Sequence, residues 1–250
     1  LLEHVRDRAA ADAVASRRGH VIAVLAARGG IGVSTVAANL AASLHARSHK
    51  ETILAEFTPG RGSLGLDMGT PNPAALSKLL TSRPEQITPE RVSSALVSHS
   101  TGVKLLLASE NLREVALLGQ TQQFEALFEC LAEMARLIVL DLGSALSPWA
   151  EKILPLCRDW IVVTEASHNT ITHARHLLDE LTDLGIDPKA ITVVLNHRTQ
   201  VDSQLPWNMA QQELGHPIAT TLSPAPELMA AASGRRLPAV AADPDNVTSQ

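Results

Sequence analysis

Ala27-Arg28-Gly29-Gly30-Ile31-Gly32-Val33-Ser34-Thr35 lies between an apolar run, Val21-Ile22-Ala23-Val24-Leu25-Ala26, and a periodic segment over residues 36–44. Apolar run, glycine loop and helix in that order are the layout of a phosphate-binding turn. Gly29, Gly30 and Gly32 let backbone amides approach an anion, and a helix opening at Ser34 adds the positive end of its dipole. Ser34 stands where such loops keep a hydroxyl for a magnesium ion. The lysine that should precede it is replaced by Val33. A hydrogen bond to a charged group contributes about 1.5–3 kcal/mol, so this loss should weaken a phosphate site without necessarily abolishing it. The alternative is an ordinary glycine turn, because glycine clusters also serve that purpose.

Working outward, strands and helices alternate. Residues 20–26 read as a first strand, buried on both faces because its apolar character is continuous. In the helix after the loop, Val36, Leu40 and Leu44 form a stripe, with Ala37 and Ala41 beside it. Thr52-Ile53-Leu54-Ala55 is a second strand, running into Glu56-Phe57-Thr58-Pro59-Gly60-Arg61-Gly62-Ser63, which is too long for a tight turn. Helices are expected at 71–80 and 89–97, a strand at 103–107, a helix at 122–136 and a strand at 137–140 that ends at Asp141. Further strands are expected at 160–163, 191–195 and 218–221, with helices around Ile171 to Leu181, around 204–214 and after Ser223-Pro224. This alternation predicts an α/β fold: a doubly wound, mainly parallel sheet flanked by helices. Such sheets bind ligands beyond the carboxyl ends of their strands, where Arg28, Glu56, Asp141, Glu165 and Asn196 fall. The expected organisation is a polar helix or linker over 1–19, a domain over 20–238 and a flexible polar tail over 239–250.

Composition narrows the function. The chain has 250 residues, 45% of them hydrophobic, enough for one large α/β core. A formal charge of −5 leaves no electrostatic footprint for nucleic acid, and Arg235 with Arg236 are too few to make one. No apolar run reaches the roughly 18–20 residues of a membrane span, and the charged, alanine-rich N-terminal segment does not read as a signal peptide. Direct membrane insertion is therefore not expected. The first residue is Leu1, which leads us to expect a further upstream portion. Cys130 and Cys157 lack metal-type spacing and suit a reducing cytoplasm. His173, His176 and Glu180 share a helical face that reads as solvated rather than metal-binding.

The loop 28–35, the following Val36-Ala37-Ala38-Asn39-Leu40-Ala41, Asp141 after its strand, Leu195-Asn196 and Gly234-Arg235-Arg236-Leu237-Pro238 together resemble the MinD/ParA group of P-loop ATPases, nearest its pilus-assembly branch called CpaE or TadZ. The resemblance spans residues 20–238. It implies ATP or ADP with Mg2+ as cofactors. Gly29, Gly30, Ile31, Gly32 and Val33 would form the phosphate loop. Thr35 would bond the innermost phosphate, and Ser34 and Asp141 would hold the metal. Asn196 would read the adenine edge, with Pro224 and Ala225 in the stretch shaping the base pocket. Arg28 falls where active members carry a signature lysine that reaches a partner subunit's nucleotide. The family's water-positioning carboxylate falls on Thr58. Lacking both lysines and that carboxylate, the chain is expected to hydrolyse ATP weakly or not at all.

Three functions follow as expectations. The first is an ATP-binding localisation factor that docks on protein partners of a pilus or secretion assembly machine. It would act in the cytoplasm and be recruited to the membrane's inner face or a cell pole, with homodimerisation as one arrangement. The second is a working ATPase completed by Arg28 in trans. The third is a nucleotide-free scaffold.

Overall fold

A computed structural model describes residues 18–70, 74–144, 146–197 and 205–245. Most of the expected linker, residues 71–73 of the expected helix at 71–80, residue 204 and the end of the tail lie outside the described residues. The strands are β1 (His20–Ala26), β2 (Thr52–Glu56), β3 (Val97–Ser98), β4 (Lys104–Leu106), β5 (Leu137–Ser144), β6 (Asp159–Thr164), β7 (Ile191–Asn196) and β8 (Ile218–Leu222). They form an eight-stranded sheet in the order β3-β4-β2-β5-β1-β6-β7-β8. Every pairing is parallel except β3 with β4. The helices that matter below are α1 (Val33–Ser48), α2 (Leu64–Asp67), α3 (Ala75–Leu80), α4 (Pro89–Ala95), α5 (Thr121–Met134), α6 (Ala150–Ile153), α7 (His168–Asp183), α8 (Trp207–Leu214), α9 (Pro226–Arg235) and α10 (Ala239–Ala242). The doubly wound, mainly parallel α/β sheet expected from the sequence is the fold.

β1 shows why. Val21, Ala23 and Leu25 enter the larger core with α5 and α7, while Ile22, Val24 and Ala26 enter a second core beneath α1. Side chains alternate across a strand, so an unbroken apolar run is what a strand covered on both faces requires. α1 departs from expectation. Its buried residues are Val33, Ala37, Ala38, Ala41 and Ala42, whereas Val36, Leu40 and Leu44 are only partly buried along its flank. Small residues face the sheet and let the helix backbone come close to it.

Two other elements differ from the reading of the sequence. β5 runs on to Ser144, so Asp141 lies inside the strand, opposite both Val24 of β1 and Glu56 of β2. Residues 239–242, expected in the flexible tail, form α10. The Val240 amide donates to Asn39 Oδ1 on α1 (2.9 Å), and Asn39 Nδ2 donates to the Thr35 carbonyl (2.8 Å). Ala239 is buried against Leu228 and Ala232 of α9, which gives this short helix an apolar anchor.

An aromatic cluster closes the larger core at the carboxyl end of the sheet. Phe124 of α5 stacks on Trp149 (centroids 4.6 Å apart) and tilts against Phe57 (5.2 Å), and Trp149 meets Phe57 edge-on (5.7 Å). All three are buried. Phe57 begins the segment after β2 and Trp149 ends the segment after β5, so Phe124 pins two loops at once. Truncating a buried phenylalanine costs about 3–5 kcal/mol. We expect Phe124→Ala to lower the unfolding free energy by about that amount in urea titrations. A loss below about 1 kcal/mol would mean that the cluster closes over the gap.

Candidate functional site

The glycine loop leaves β1 and turns into α1 at Gly32, whose φ of 98° is left-handed. Asn196, at the end of β7, donates from Nδ2 to the Ile31 carbonyl (2.9 Å). A Cβ on Gly32 would lie 2.6 Å from that same nitrogen. Both the positive φ and the close approach require glycine here. Loop and strand end are thereby locked together.

Beneath the loop two carboxylates are buried side by side. Glu56 Oε1 accepts from the amides of Ser63 (2.6 Å) and Leu64 (3.1 Å), and Oε2 accepts from the Ala108 amide (2.9 Å). Burial nevertheless pushes the Glu56 carboxyl up to about 7, against the pull of those three amides, and the neighbouring Asp141 adds to the rise. Asp141 is fully buried. Its Oδ1 accepts from the Gly143 amide (3.0 Å), while Oδ2 has no partner among the described residues. Burial raises its pKa too, with the Ser34 side chain and the Gly143 amide pulling it down.

A cavity of about 440 Å³ opens above them, and Gly29, Gly30, Gly32, Val33, Ser34 and Thr35 form one wall. The segment after β2 supplies Phe57, Thr58, Arg61 and Ser63, α2 supplies Asp67, and the end of β5 supplies Leu142, Gly143 and Ser144. The two segments touch each other, since a Cβ on Gly143 would come within 2.8 Å of Thr58 Cγ2.

The structure therefore brings most of the expected residues together. Gly29 to Thr35 form the wall, apart from Ile31, which is buried in the core beneath α1. The Ser34 side chain lines the cavity and interacts with Asp141, which lies beneath and does not line it. The donor set fits a hard cation such as magnesium, because a buried carboxylate oxygen without a partner sits beside a hydroxyl. Val33 lines the cavity yet packs in the same core as Ile31, so it is an apolar brace where a lysine was expected. Arg28 is exposed and does not line the cavity. Pro224 and Ala225 do not line it either, and Ala225 packs with α9 and α10. Asn196 is part of the loop's scaffold, one amide hydrogen already donated to it.

Glu56 carried no expected role beyond its place at the sheet edge, and Arg61 and Asp67 carried none. The available signal was an acidic residue ending an apolar strand just before Pro59-Gly60-Arg61-Gly62. The solvated face of His173, His176 and Glu180 is exposed on α7, as expected. Among the described residues no cluster of three or more His, Cys, Asp and Glu side chains is arranged to hold a metal by itself. Among them, too, no helix is long and apolar enough to cross a membrane.

Known proteins share this architecture. A ParA family ATPase from Chlorobium tepidum superimposes with a TM-score of 0.81 at 17% identity, covering 92% of this chain and 95% of its own. The septum site-determining protein MinD from Pyrococcus horikoshii, solved with Mg-ADP, gives 0.74 at 19% identity over 93% and 92%. MinD in the MinC:MinD cell division complex of Aquifex aeolicus gives 0.69 at 19% over 93% and 92%. No protein-family model and no curated protein sequence matches the chain. The fold is thus that of the ParA and MinD P-loop ATPases.

The buried glutamate gives a pH test. Folding raises Glu56 from 4.5 to about 7, so between those values the folded state holds more of the proton than the unfolded chain does. Its contribution is full below 4.5 and is lost as pH rises through about 7. We expect stability from urea unfolding to show a component that declines by on the order of 3 kcal/mol across that window. Glu56→Gln should abolish that component. A slope unchanged by the substitution would refute the assignment.

Proposed function

We propose that this protein binds ATP or ADP with magnesium and acts as a localisation factor, docking on protein partners with weak or no hydrolysis of the nucleotide. The observation that carries this reading is Asp141 Oδ2, buried and unpartnered beside Ser34 under the glycine loop. A buried acceptor left without a partner costs about 1–3 kcal/mol, and a cation supplies what it lacks. When bound, magnesium would neutralise phosphate charge. Ser34 and Asp141 would hold it, the loop amides would orient the phosphates, and Thr35 would bond the innermost one.

Weak hydrolysis is argued from what the cavity lacks. Thr58 carries no charge with which to position water, and Val33 is committed to the core. Phosphoryl transfer depends on positioning and charge neutralisation, so these absences should cost several powers of ten in rate. The partner assignment, a pilus or secretion assembly machine reached from the cytoplasm at the membrane's inner face or a cell pole, rests on the resemblance of the motifs. A homodimer belongs to the same reading. One observation favours a second reading: Arg28 is exposed beside the loop but outside its own cavity. It is therefore free to serve a second copy of the chain in an active ATPase.

Calorimetric titration with ATP, with and without magnesium, tests the proposal. We expect micromolar binding that requires magnesium and falls at least about tenfold in Ser34→Ala, with no measurable phosphate release. No heat with ATP would leave a nucleotide-free scaffold. Turnover abolished by Arg28→Ala would establish the second reading.

A further inference from the structure

The cavity has lost one cation and contains another. Among the described residues lining it, Arg61 is the sole basic one, carried by the segment after β2, while on the glycine loop Val33 stands in place of the expected lysine. Asp67 is also in the lining, so without Arg61 the only formal charge there would be negative. A polyphosphate would then meet an acidic mouth.

The turn that carries Arg61 is built to hold a fixed position. The Arg61 amide donates to the Thr58 carbonyl (3.0 Å), closing the turn, and the Gly62 amide donates to the Ser109 carbonyl (3.1 Å). Gly60 takes a φ of 76°, and a Cβ there would meet the Val115 amide nitrogen at 2.6 Å, so the turn lies flat against residues 111–115. Glu56 then fastens the far end through the Ser63 and Leu64 amides. Every one of these restraints acts on backbone. The Arg61 side chain itself is exposed and has no ion pair or hydrogen bond among the described residues. A rigid turn presenting an uncommitted guanidinium to a glycine-loop cavity is the arrangement that phosphate recognition needs, since the planar fork binds phosphate oxygens in pairs.

We propose that Arg61 binds the polyphosphate of the nucleotide in cis, supplying from the segment after β2 the positive charge that Val33 cannot supply from the loop. The inference rests on the nucleotide-binding reading given above and names the residue that makes such binding workable without the loop lysine. Arg61 would also join ligand occupancy to the placement of Phe57, and so to the aromatic cluster under Phe124.

The test is calorimetry of MgATP with the whole chain and with Arg61→Ala and Arg61→Lys, together with melting temperatures in the absence of nucleotide. We expect Arg61→Ala to lower affinity about tenfold to a hundredfold, the equivalent of one charged hydrogen-bonded contact. Arg61→Lys should retain part of the lost affinity, and the melting temperatures should be unchanged because the side chain is exposed. Wild type that binds MgATP while Arg61→Ala binds within about twofold of it would overturn the inference and leave the proposed function standing. Equal affinity losses in both variants with lowered melting temperatures would assign Arg61 to the shape of the loop and overturn it as well. Wild type that binds no MgATP would sink the proposed function, and this inference with it.

Discussion

Two carboxylates buried on neighbouring strands set the character of this molecule. Glu56 and Asp141 stand opposite each other on β2 and β5 and are both excluded from solvent. Removing an ionised carboxylate from water is costly unless hydrogen bonds or a counter-charge replace the lost hydration. The two receive different compensation. Glu56 takes three backbone amides and in doing so fixes the start of α2 and the segment just after β4 against its own strand. Asp141 takes one amide and keeps an oxygen open. Equal burial with unequal satisfaction separates a structural carboxylate from one suited to a ligand. They are also coupled, since each negative charge raises the cost of the other, so a cation at Asp141 would ease both.

From that pair the rest of the site follows by close contact. Asn196 holds the glycine loop through the Ile31 carbonyl, and Gly143 presses on Thr58. Phe57 and Trp149 carry the two loops down onto Phe124. Trp149 is buried with its Nε1 lacking a partner among the described residues. Such a group costs about 1–3 kcal/mol, while aromatic pairing adds about 0.5–1.5 kcal/mol per contact beyond burial. The three ring contacts are of a size to offset the unmade hydrogen bond. The cluster is thus held by shape rather than by polar complementarity.

How much of this could be read in advance depended on the range of the forces involved. β1, β6 and β7 were legible because burial on both faces demands an apolar run, which is a local signal. The glycine loop was legible for the same reason, its spacing being contained in nine residues. The buried face of α1 was not, since Val36 and Leu40 are the more hydrophobic residues and the closeness of β5 is what selects Ala37 and Ala41. Glu56 was not either, because its partner Ala108 lies 52 residues away. β3 has two residues, too few to leave a periodic trace, and the 3-10 turns over Leu112–Gly119 fully bury none of their side chains. α10 was hidden by its polar and proline neighbours. Its anchor on Asn39 is a contact that appears only once α1 is in place.

Val33 shows how one departure from a motif can alter more than the contact it removes. A lysine at that position would have to keep its charge near the cavity and out of the core. Valine instead packs with Ile31 and Ala37 beneath the loop, where each buried methylene contributes about 0.8 kcal/mol. The loop's shape is then maintained by the protein's own packing and by Asn196, with no ligand needed to hold it. A site shaped in advance has less to order on binding, which offsets part of the affinity lost with the charge. The same stiffness works against catalysis that needs the loop to close around a reacting phosphate. On the proposed reading, trading a mobile cation for a core residue would favour a nucleotide that is held over one that is turned over, and the uncharged Thr58 in the same cavity lining points the same way.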